Sequence, residues 1–226
     1  YVSGTPVMAT LYGMDVVGQK RWGRDPDLVL SGPNEGQNVG AIILGSGTVS
    51  NAQYAAVRGI PAIALSAGAN TTGTETLDNP VSQIVAMRTV ELVTELDRNA
   101  PGKRMLPVGV ALNVNFPDDP AKAQWQLARI GSYNAYVVRF TQNMAEEASP
   151  TMQAMARERG AQVPEQPGII IDMNAATPAA DQANDESVVY RTAIAVSPMR
   201  AGYDAGAALD SAVRSALRRL FRKRGQ

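Results

Sequence analysis

The chain has 226 residues, 45% of them hydrophobic, and its 21 Lys and Arg residues balance 21 Asp and Glu residues. This length allows one sizeable core, or one domain with a smaller appendage. The balanced charge excludes an overall field that would attract nucleic acid or an anionic membrane. Cysteine and histidine are both absent, which excludes disulfides, thiolate or histidine-ligated zinc, and Ser-His-Asp hydrolysis. A metal ion would have to be a hard cation held by oxygen atoms.

The sequence carries no visible signal for a membrane or an export route. Its uncharged apolar runs fall far short of the roughly 20 residues of a membrane-spanning helix, which predicts a soluble protein. No cationic stretch followed by an apolar run opens the chain, so no signal peptide is visible. The chain begins at Tyr1, in the middle of a pattern, and we interpret it as lacking an N-terminal segment.

The first part of the chain predicts a βαβ unit. Asp27–Ser31 is a short apolar run ended by Gly-Pro, typical of a buried strand, and a polar, glycine-rich stretch follows it. Val49–Arg58 has the pattern of a helix with Ser or Thr at its capping position, and Ile60–Ser66 is a second apolar run. Strand, helix and strand within about 40 residues imply a parallel sheet with a right-handed crossover.

The next segment continues the alternation of helices and strands. A loop at Ala67–Asn79 leads to a predicted helix at Val81–Asp97, and Val108–Phe116 has strand character. The buried stripe of this helix is predicted to consist of Ile84, Val85, Val90, Leu92, Val93 and Leu96. This order of elements favours a doubly wound α/β fold.

The composition changes after Pro117. Trp125–Ile130 and Tyr133–Thr141 have the pattern of two strands, and Gly131-Ser132 between them is typical of a hairpin turn. A polar stretch, Glu146–Arg159, has helical character among turn residues. We therefore predict a projecting, partly antiparallel elaboration on the α/β core, which serves oligomerisation or controls access to the site.

The last part of the chain contains two further predicted strands, Ile169–Met173 and Val188–Val196, and a helix at Ala205–Lys223. The outer face of this helix is basic, which fits either a solvated face favoured by the helix dipole or a surface for a partner or phosphate. The predicted parts of the chain are a core at 1–120, a projecting hairpin and oligomerisation region at 121–190, and a C-terminal strand and helix at 191–226.

A loop at the predicted sheet edge carries candidate metal ligands. In an open parallel sheet, ligands bind beyond the carboxyl ends of the strands, and Ser31–Asn38 follows the first predicted strand. Gly32 and Gly36 allow a close approach of the backbone, and Asn34 and Asn38 offer amide oxygens. The same residues are typical of an ordinary turn, because Asn tolerates left-handed backbone.

A second loop, Gly45-Ser46-Gly47-Thr48, enters the predicted helix. A helix N-terminus presents unpaired N–H groups and positive potential, which suit a phosphate group, and an ordinary helix cap has the same composition. The loop is not a P-loop, because no Gly-Lys-Ser/Thr follows. Both loops belong to one βαβ unit, so they face the same sheet edge.

Three aromatic residues lie in the predicted strands of the elaboration. Trp125, Tyr133 and Tyr136 have rings on which a nucleobase could stack. Aromatic residues in strands also pack within the protein, which is the simpler interpretation.

Several motifs occur in order along the chain. The central ones are Asp27–Asn38 (DLVLSGPNEGQN), Gly45–Thr48 (GSGT) and Arg58–Ser66 (RGIPAIALS). The others are Gly4-Thr5-Pro6, Leu112–Pro117 (LNVNFP), and Asp185 followed by Ala193–Pro198 (AIAVSP). Each piece is weak alone, but the ordered set is specific and resembles the SurE nucleotidases over most of the chain.

This resemblance implies a Rossmann-like, three-layer α/β/α core with a mostly parallel sheet, a swapped C-terminal element, and assembly as homodimers or homotetramers. It implies hydrolysis of nucleoside 5′- and 3′-monophosphates with Mg²⁺ or Mn²⁺, whose bound cation neutralises phosphate charge and activates a water. The site residues implied by position are the metal ligand Asn34, the phosphate-binding Ser46, Gly47 and Thr48, and the supporting Gly32, Gly36 and Asn38. The family default is cytoplasmic, although a chain without cysteine also suits a periplasmic or secreted protein.

Two departures from the family pattern matter. The family begins with a strand that ends in an Asp-Asp pair, followed by a Ser ligand, and nothing at the start of this chain supplies them. One neutral amide cannot hold a divalent cation, so we expect this chain alone to bind metal poorly and to be inactive. Val7 and Met8 stand in a stretch where the family has Asp, and Asp15, Asp25 and Asp172 are not expected to replace the missing carboxylates.

Two alternatives to a nucleotidase remain. The first is a non-catalytic, oligomeric binding protein with this fold and a lost metal site. The second is another Rossmann-like enzyme that binds a nucleotide sugar or a dinucleotide, but no Gly-x-Gly-x-x-Gly closes the first predicted strand. Neither nucleic acid nor a membrane is an expected partner in any of these interpretations.

Overall fold

A computed structural model describes residues 2–68, 80–100, 104–158, 160–202 and 207–218. The strands are β1 Val29–Glu35, β2 Ala62–Ala67, β3 Val110–Asn115, β4 Trp125–Leu127, β5 Tyr136–Thr141, β6 Gly168–Met173 and β7 Ile194–Arg200. The α-helices are α1 Pro6–Tyr12, α2 Gln19–Trp22, α3 Gly47–Val57, α4 Pro80–Arg98, α5 Met144–Glu147, α6 Pro150–Glu158, α7 Glu186–Val189 and α8 Ala207–Ala216. A π-helical segment, Gly13–Gly18, joins α1 to α2, and Gly40–Gly45 is a 3₁₀ helix.

The central sheet has five strands in the order β1-β2-β3-β7-β4. The first three are mutually parallel, β7 runs antiparallel to β3, and β4 runs parallel to β7. The predicted strand, helix and strand are therefore confirmed as β1, α3 and β2. The β1 strand extends beyond its predicted end: it continues to Glu35 across a register shift between Ser31 and Asn34, so part of the predicted loop is a strand.

Helices cover both faces of the central sheet. In β2, Ala62 and Ala64 pack in a cluster with the buried residues of α3, whereas Ile63 and Leu65 pack with Val85 of α4. This alternation follows from the pleat, which sends successive side chains to opposite faces. The resulting three layers and the mostly parallel sheet confirm the predicted α/β class, with β5 and β6 as a separate antiparallel elaboration.

The α4 helix confirms the predicted element, with one wrong position in its buried stripe. Val90 is 64% exposed, and Thr89 is buried in its place. Val85 and Thr89 are four residues apart and share one helix face, whereas Val90 is turned about 100° away from Thr89. The Thr89 hydroxyl donates to the Val85 carbonyl at 2.8 Å, which satisfies the buried polar group.

The predicted hairpin at Gly131-Ser132 is wrong. Its first strand, β4, pairs with β7 in the central sheet, and its second, β5, pairs with β6. The turn signal failed because the Ser132 N–H does not close a hairpin but donates to the Asp185 carboxylate at 2.9 Å. The partners of β4 and β5 are distant in sequence, so no local pattern could indicate them.

Three predicted elements differ in extent from the observed ones. The predicted strand Val188–Val196 is wrong as far as Ala193: Val188 and Val189 belong to helix α7, turns follow them, and β7 begins only at Ile194, because the N–H groups of Val188 and Val189 donate to the Asp185 carbonyl. The polar stretch Glu146–Arg159 forms two helices, α5 and α6, and Pro150 begins the second, where its missing N–H costs nothing. Residue 219 onward of the predicted C-terminal helix, and 69–79 of the predicted loop, lie outside the described residues.

Within the described part of the chain, no helix has the length and apolar content needed to cross a bilayer. The three-part division at residues 120 and 190 and the exchange of the C-terminal element between subunits stay predictions.

Candidate functional site

The carboxyl ends of β1, β2 and β3 meet at one edge of the sheet because these strands are parallel. Gly32 lets β1 approach β2 there: it has a φ of +111°, and a Cβ atom would overlap the Leu65 carbonyl oxygen. Asn34 is paired with Ser66 across the two strands. The predicted loop thus lies at the edge where an open α/β sheet binds ligands.

Asn34 is half-buried at this edge, with its amide nitrogen engaged. Nδ2 donates to the Glu35 carbonyl at 3.0 Å and to the Gly36 carbonyl at 2.8 Å. Since an amide nitrogen only donates, these bonds orient the side chain and leave Oδ1 as the atom suited to a cation. Gly36 takes part by accepting one of the bonds, and the role of Asn34 as a metal ligand stays a prediction.

Asn38 is buried in a network of amides. Its N–H donates to Asn115 Oδ1 at 2.8 Å, and its Nδ2 donates to Ser66 Oγ at 2.8 Å. Its carbonyl accepts from Asn113 Nδ2 at 2.8 Å and from Asn115 Nδ2 at 3.0 Å. Buried and bonded in this way, Asn38 ties the loop to β2 and β3, and its supporting role at a ligand site stays a prediction.

A fully buried glutamate closes this network. Glu186 Oε1 accepts from the Gly40 N–H at 3.0 Å, and Oε2 accepts from Asn113 Nδ2 at 2.9 Å. Burial raises the pKa of Glu186 to about 7, against the opposing effects of Ser197, the Gly40 N–H and Asn113. The carboxyl group anchors the loop after Asn38. No feature of the sequence indicated this role, because a single Glu carries no pattern.

Asp185, its neighbour, is also fully buried and holds the 129–133 segment. Its Oδ2 accepts from the N–H groups of Ser132 and Tyr133, each at 2.9 Å, and its Oδ1 accepts from Arg129 Nε at 2.6 Å. Burial opposes ionisation, but these three donors outweigh it and hold the pKa of Asp185 below its ordinary value. A side chain at Gly131 would overlap this carboxylate, so the position requires glycine.

The second predicted loop forms the N-terminus of α3. Ser46 is buried, and its Oγ accepts the Val49 N–H at 3.2 Å, as a helix cap does. At Gly47, a Cβ atom would lie 2.6 Å from Pro6 Cγ, so this glycine permits contact with α1. Asn51 Nδ2 donates to Ser31 Oγ at 3.3 Å and joins α3 to β1. The cap is structural in this geometry, and the phosphate role of Ser46, Gly47 and Thr48 stays a prediction.

A cavity of about 750 Å³ opens at the sheet edge. Its polar side consists of Asn34, Glu35, Gly36, Gln37, Asn38 and Asp118. Its other side comes from the elaboration and includes Tyr136, Ile169, Ile171 and Met173. Three of the predicted site residues therefore share this cavity, whereas Gly32, Ser46, Gly47 and Thr48 are not among the residues that line it.

The three aromatic residues have different environments. Trp125 packs edge-on against Phe116, with the Arg88 guanidinium 5.1 Å from its ring centre, and Tyr133 is buried. Tyr136 lines the cavity, and burial, together with the Tyr190 hydroxyl 3.4 Å away, raises its pKa. Of these three aromatic residues, Tyr136 is the one available to a ligand in the cavity, because it alone lines the cavity.

Comparison with known proteins identifies the fold and its family. The family model described as survival protein SurE matches residues 1–137. The chain belongs to the SurE family. A crystal structure of a SurE protein from Aquifex aeolicus covers 96% of this chain and 73% of its own, with a TM-score of 0.63 and 25% identity. The SurE fold therefore extends through the elaboration, beyond the part of the sequence that the family model matches.

Curated relatives carry two names. A 5′-nucleotidase SurE of Thermosipho africanus is 36% identical over 130 residues, which are 57% of this chain and 45% of the relative. A 5′-nucleotidase SurE of Desulfatibacillum aliphaticivorans is 43% identical over 120 residues (53% and 41%), and an acid phosphatase of Yarrowia lipolytica is 38% identical over 126 residues (52% and 34%). The chain spans about half the length of the curated relatives it matches, or less. These names place it in a family of nucleotidases and phosphatases.

The described residues of this SurE chain do not form a complete metal site. No group of three His, Cys, Asp or Glu side chains converges anywhere within them. Asn34 offers one neutral oxygen, and hard cations take six or more oxygen ligands, several of them carboxylates. The cavity does hold carboxyl groups of Glu35, Asp118 and Asp172, but they do not form such a cluster.

The alternative carboxylates considered from the sequence have other partners. Asp15 accepts from Arg58 at 2.6 Å, and Asp25 accepts from Gln19 at 2.8 Å. Asp172 lines the cavity, with one carboxylate oxygen 3.9 Å from Arg139 Nη2. Asp118 was missed, although it follows β3 and could have been found by the rule that located Asn34, namely that ligands bind where parallel strands end.

Proposed function

We propose that this SurE protein hydrolyses nucleoside 5′- and 3′-monophosphates to a nucleoside and phosphate, with Mg²⁺ or Mn²⁺ as its cofactor. The observation that carries the proposal is the cavity at the strand ends, in which an oriented Asn34 stands among polar groups. The names of the relatives, 5′-nucleotidase and acid phosphatase, support the same class of reaction.

The charge of the cavity favours a cation-dependent reaction. Glu35, Asp118 and Asp172 line it, and no Lys or Arg is among the described residues that do. A phosphate dianion would be repelled by such a wall unless positive charge accompanied it. In the proposal, Asn34 contributes one ligand to the cation, while Gly32, Gly36 and Asn38 hold the backbone that presents Asn34. The remaining ligands are not found among the described residues.

The N-terminus of α3 is proposed to bind the phosphoryl oxygens through Ser46, Gly47 and Thr48. The first-turn N–H groups and the dipole of an eleven-residue helix favour an anion there. The buried network around Asn38 would keep the loop from rearranging when the substrate leaves. We also propose that the protein assembles as a homodimer or homotetramer.

The test measures release of phosphate from AMP, from a nucleoside 3′-monophosphate and from p-nitrophenyl phosphate, with Mn²⁺, Mg²⁺ or EDTA. Both the 226-residue chain and the full gene product are assayed. We expect metal-dependent turnover by the full product and a loss of at least about 100-fold for Asn34→Ala, by analogy with lost metal ligands and their supporting contacts. Asn99→Ala, at an exposed position after α4, should match the parent.

A second candidate is a non-catalytic binding protein with the same fold. The absence of a carboxylate cluster within the described residues favours it. Absence of turnover in every form, metal and pH would contradict the nucleotidase proposal. Binding of AMP measured by calorimetry under those conditions would then support the binding protein.

A further inference from the structure

One short segment, here termed the connector (residues 38–45), joins the two loops of the candidate site. It begins at Asn38, continues through the 3₁₀ helix Gly40–Gly45 and leads into the N-terminus of α3. The loop with Asn34 precedes the connector, and the proposed phosphate-binding residues 46–48 follow it. The position of the connector therefore helps to set how the two loops lie relative to each other.

Glu186 holds the connector at two points. Its Oε1 accepts from the Gly40 N–H at 3.0 Å. Its Oε2 accepts from Asn113 Nδ2 at 2.9 Å, and the same nitrogen donates to the Asn38 carbonyl at 2.8 Å. One buried carboxyl group thus bonds Gly40 directly and reaches Asn38 through a single amide.

Gly40 fits closely against the residues around it. An added Cβ atom would lie 2.7 Å from Asn134 Oδ1 and 2.9 Å from Ser187 Oγ. The next N–H group, that of Ala41, donates to Asn134 Oδ1 at 2.7 Å. Two consecutive N–H groups of the connector are therefore bonded to two side chains. Of these two acceptors, the Glu186 carboxyl group is the one that can gain and lose a proton.

Protonation changes what this carboxyl group can accept. A carboxylate has two accepting oxygens, whereas a neutral carboxyl group carries a proton on one of them, and that oxygen becomes a donor. Glu186 uses one oxygen for Gly40 and the other for Asn113, so a proton on either weakens one bond. Asn113 Oδ1 is buried and has no hydrogen-bond partner within the described part of the chain. A half-turn of this amide presents Oδ1 to the new O–H group and takes Nδ2 away from the Asn38 carbonyl.

The surroundings of Glu186 allow both protonation states near neutral pH. Burial is the main influence and raises its pKa to about 7, and the negative charge of Asp185 acts in the same direction. Arg129 is paired with Asp185 at 2.6 Å. Three uncharged groups from three different elements favour the carboxylate: Ser197 of β7, the Gly40 N–H of the connector and Asn113 of β3.

We propose that Glu186 is a proton-dependent positioning residue: as a carboxylate it aligns Asn34 with the N-terminus of α3, and as a neutral carboxyl group it leaves the connector misaligned for the reaction. This inference rests on the proposed nucleotidase function and adds a residue that acts through the connector without touching the substrate. It predicts opposite trends with pH, because kcat rises as Glu186 ionises while the stability of the fold declines. A purely structural residue would not separate the two trends.

The first test measures kcat and KM for AMP with Mn²⁺ from pH 5.5 to 8.5 in the full gene product. Glu186→Gln keeps the size of the side chain and imitates its neutral form, and Glu165→Gln, at an exposed position, is the matched control. We expect Glu186→Gln to lower kcat about tenfold at pH 8, to stay within about twofold of the parent at pH 6, and to leave KM within about twofold throughout. An equal loss at every pH, or a pH profile identical to that of the parent, would overturn the positioning role.

The second test does not depend on turnover. In NMR spectra of the isotope-labelled full gene product, the Gly40 amide resonance reports its bond to Glu186, and the Ala41 amide, bonded to Asn134, is the internal comparison. We expect the Gly40 resonance to move with a midpoint near pH 7 in the parent and in Glu165→Gln, and to stay fixed in Glu186→Gln. A resonance that is constant in the parent, or that titrates equally in Glu186→Gln, would overturn the inference.

The two tests also separate this inference from the proposed function. If no form of the protein hydrolyses a phosphomonoester, the nucleotidase proposal fails. A Gly40 titration that disappears in Glu186→Gln would still support control of the connector by the protonation of Glu186.

Discussion

Two adjacent acidic residues, Asp185 and Glu186, show how neighbouring groups decide the charge of a buried carboxyl. Both are fully buried. Asp185 receives three donors, one of them a guanidinium, and its pKa is lowered. Glu186 receives donors only from neutral groups, and its pKa is raised to about 7 by burial. The first is a permanent anion at neutral pH, whereas the second is close to half-protonated.

The raised pKa of Glu186 predicts a stability that falls as pH rises. Between its ordinary value of 4.5 and about 7, the folded state holds a proton that the unfolded state has released. The free energy of unfolding is then highest below pH 4.5 and falls by on the order of 3 kcal/mol as the pH rises to about 7. Urea denaturation at half-unit steps from pH 5 to 8 measures this decline.

Glu186→Gln should flatten that decline, because the side chain can no longer ionise. Glu165→Gln, at an exposed position, should keep the slope of the parent protein. The chain has no histidine, so few other groups titrate in this window. The lowered pKa of Asp185 contributes stability that is lost only as pH falls below the ordinary pKa of an Asp, so Asp185 does not change the stability between pH 5 and 8. A parent protein whose stability is constant from pH 5 to 8 would contradict the assignment.

The site residues differ in how far the sequence could predict them. Asn34 lies at the carboxyl end of β1, so a general rule for α/β sheets located it without knowledge of its contacts. The pairing of Glu186 with Gly40, 146 residues apart, depends on the tertiary fold and has no local signal. The apolar side of the cavity was equally hidden, because alternating apolar residues in β5 and β6 are what an ordinary half-buried strand would show.

At the scale of elements, the contact between α1 and α3 depends on one small residue. Gly47→Ala would place a Cβ atom 2.6 Å from the Pro6 ring, and both elements would have to separate. Gly45→Ala is the matched control, since nothing lies within 4 Å of the added atom. We expect the first change to lower the free energy of unfolding by about 1–3 kcal/mol and the second to have little effect, as measured by urea denaturation. Equal effects of the two changes would show that the contact is not tight.

The elements that the sequence predicted are those with strong local signals. The apolar runs of β1, β2 and β3, the serine cap of α3 and the apolar stripe of α4 each lie within one segment. The wrong predictions, the hairpin at Gly131-Ser132 and the long strand from Val188, surround Asp185. Asp185 replaces the pairing that the local patterns favour in both segments: its carboxylate accepts from the N–H groups of Ser132 and Tyr133, and its backbone carbonyl accepts from those of Val188 and Val189.

At the scale of the whole molecule, the two sheets differ in how firmly they are held. The central strands β2 and β3 are buried on both faces: Leu65 and Val114 on one face, and Ala64 and Ala111 on the other, are all 1% exposed or less. The β5–β6 sheet has two strands and only one packed face, and such a sheet is marginal without support from other elements. The molecule should therefore open in β5 and β6 before it unfolds.

Hydrogen exchange followed by mass spectrometry tests that order. Amides of β2 and β3 should exchange only through global unfolding, and those of β5 and β6 through a smaller, local opening. Ile170→Ala removes the fully buried side chain of β6 and should reduce the local protection by about 2 kcal/mol or more. If the elaboration is a separate cooperative unit, exchange in β2 and β3 stays unchanged in this variant. Equal acceleration of exchange in both sheets would mean that the molecule unfolds as one unit. A ligand in the cavity would then stabilise the whole molecule.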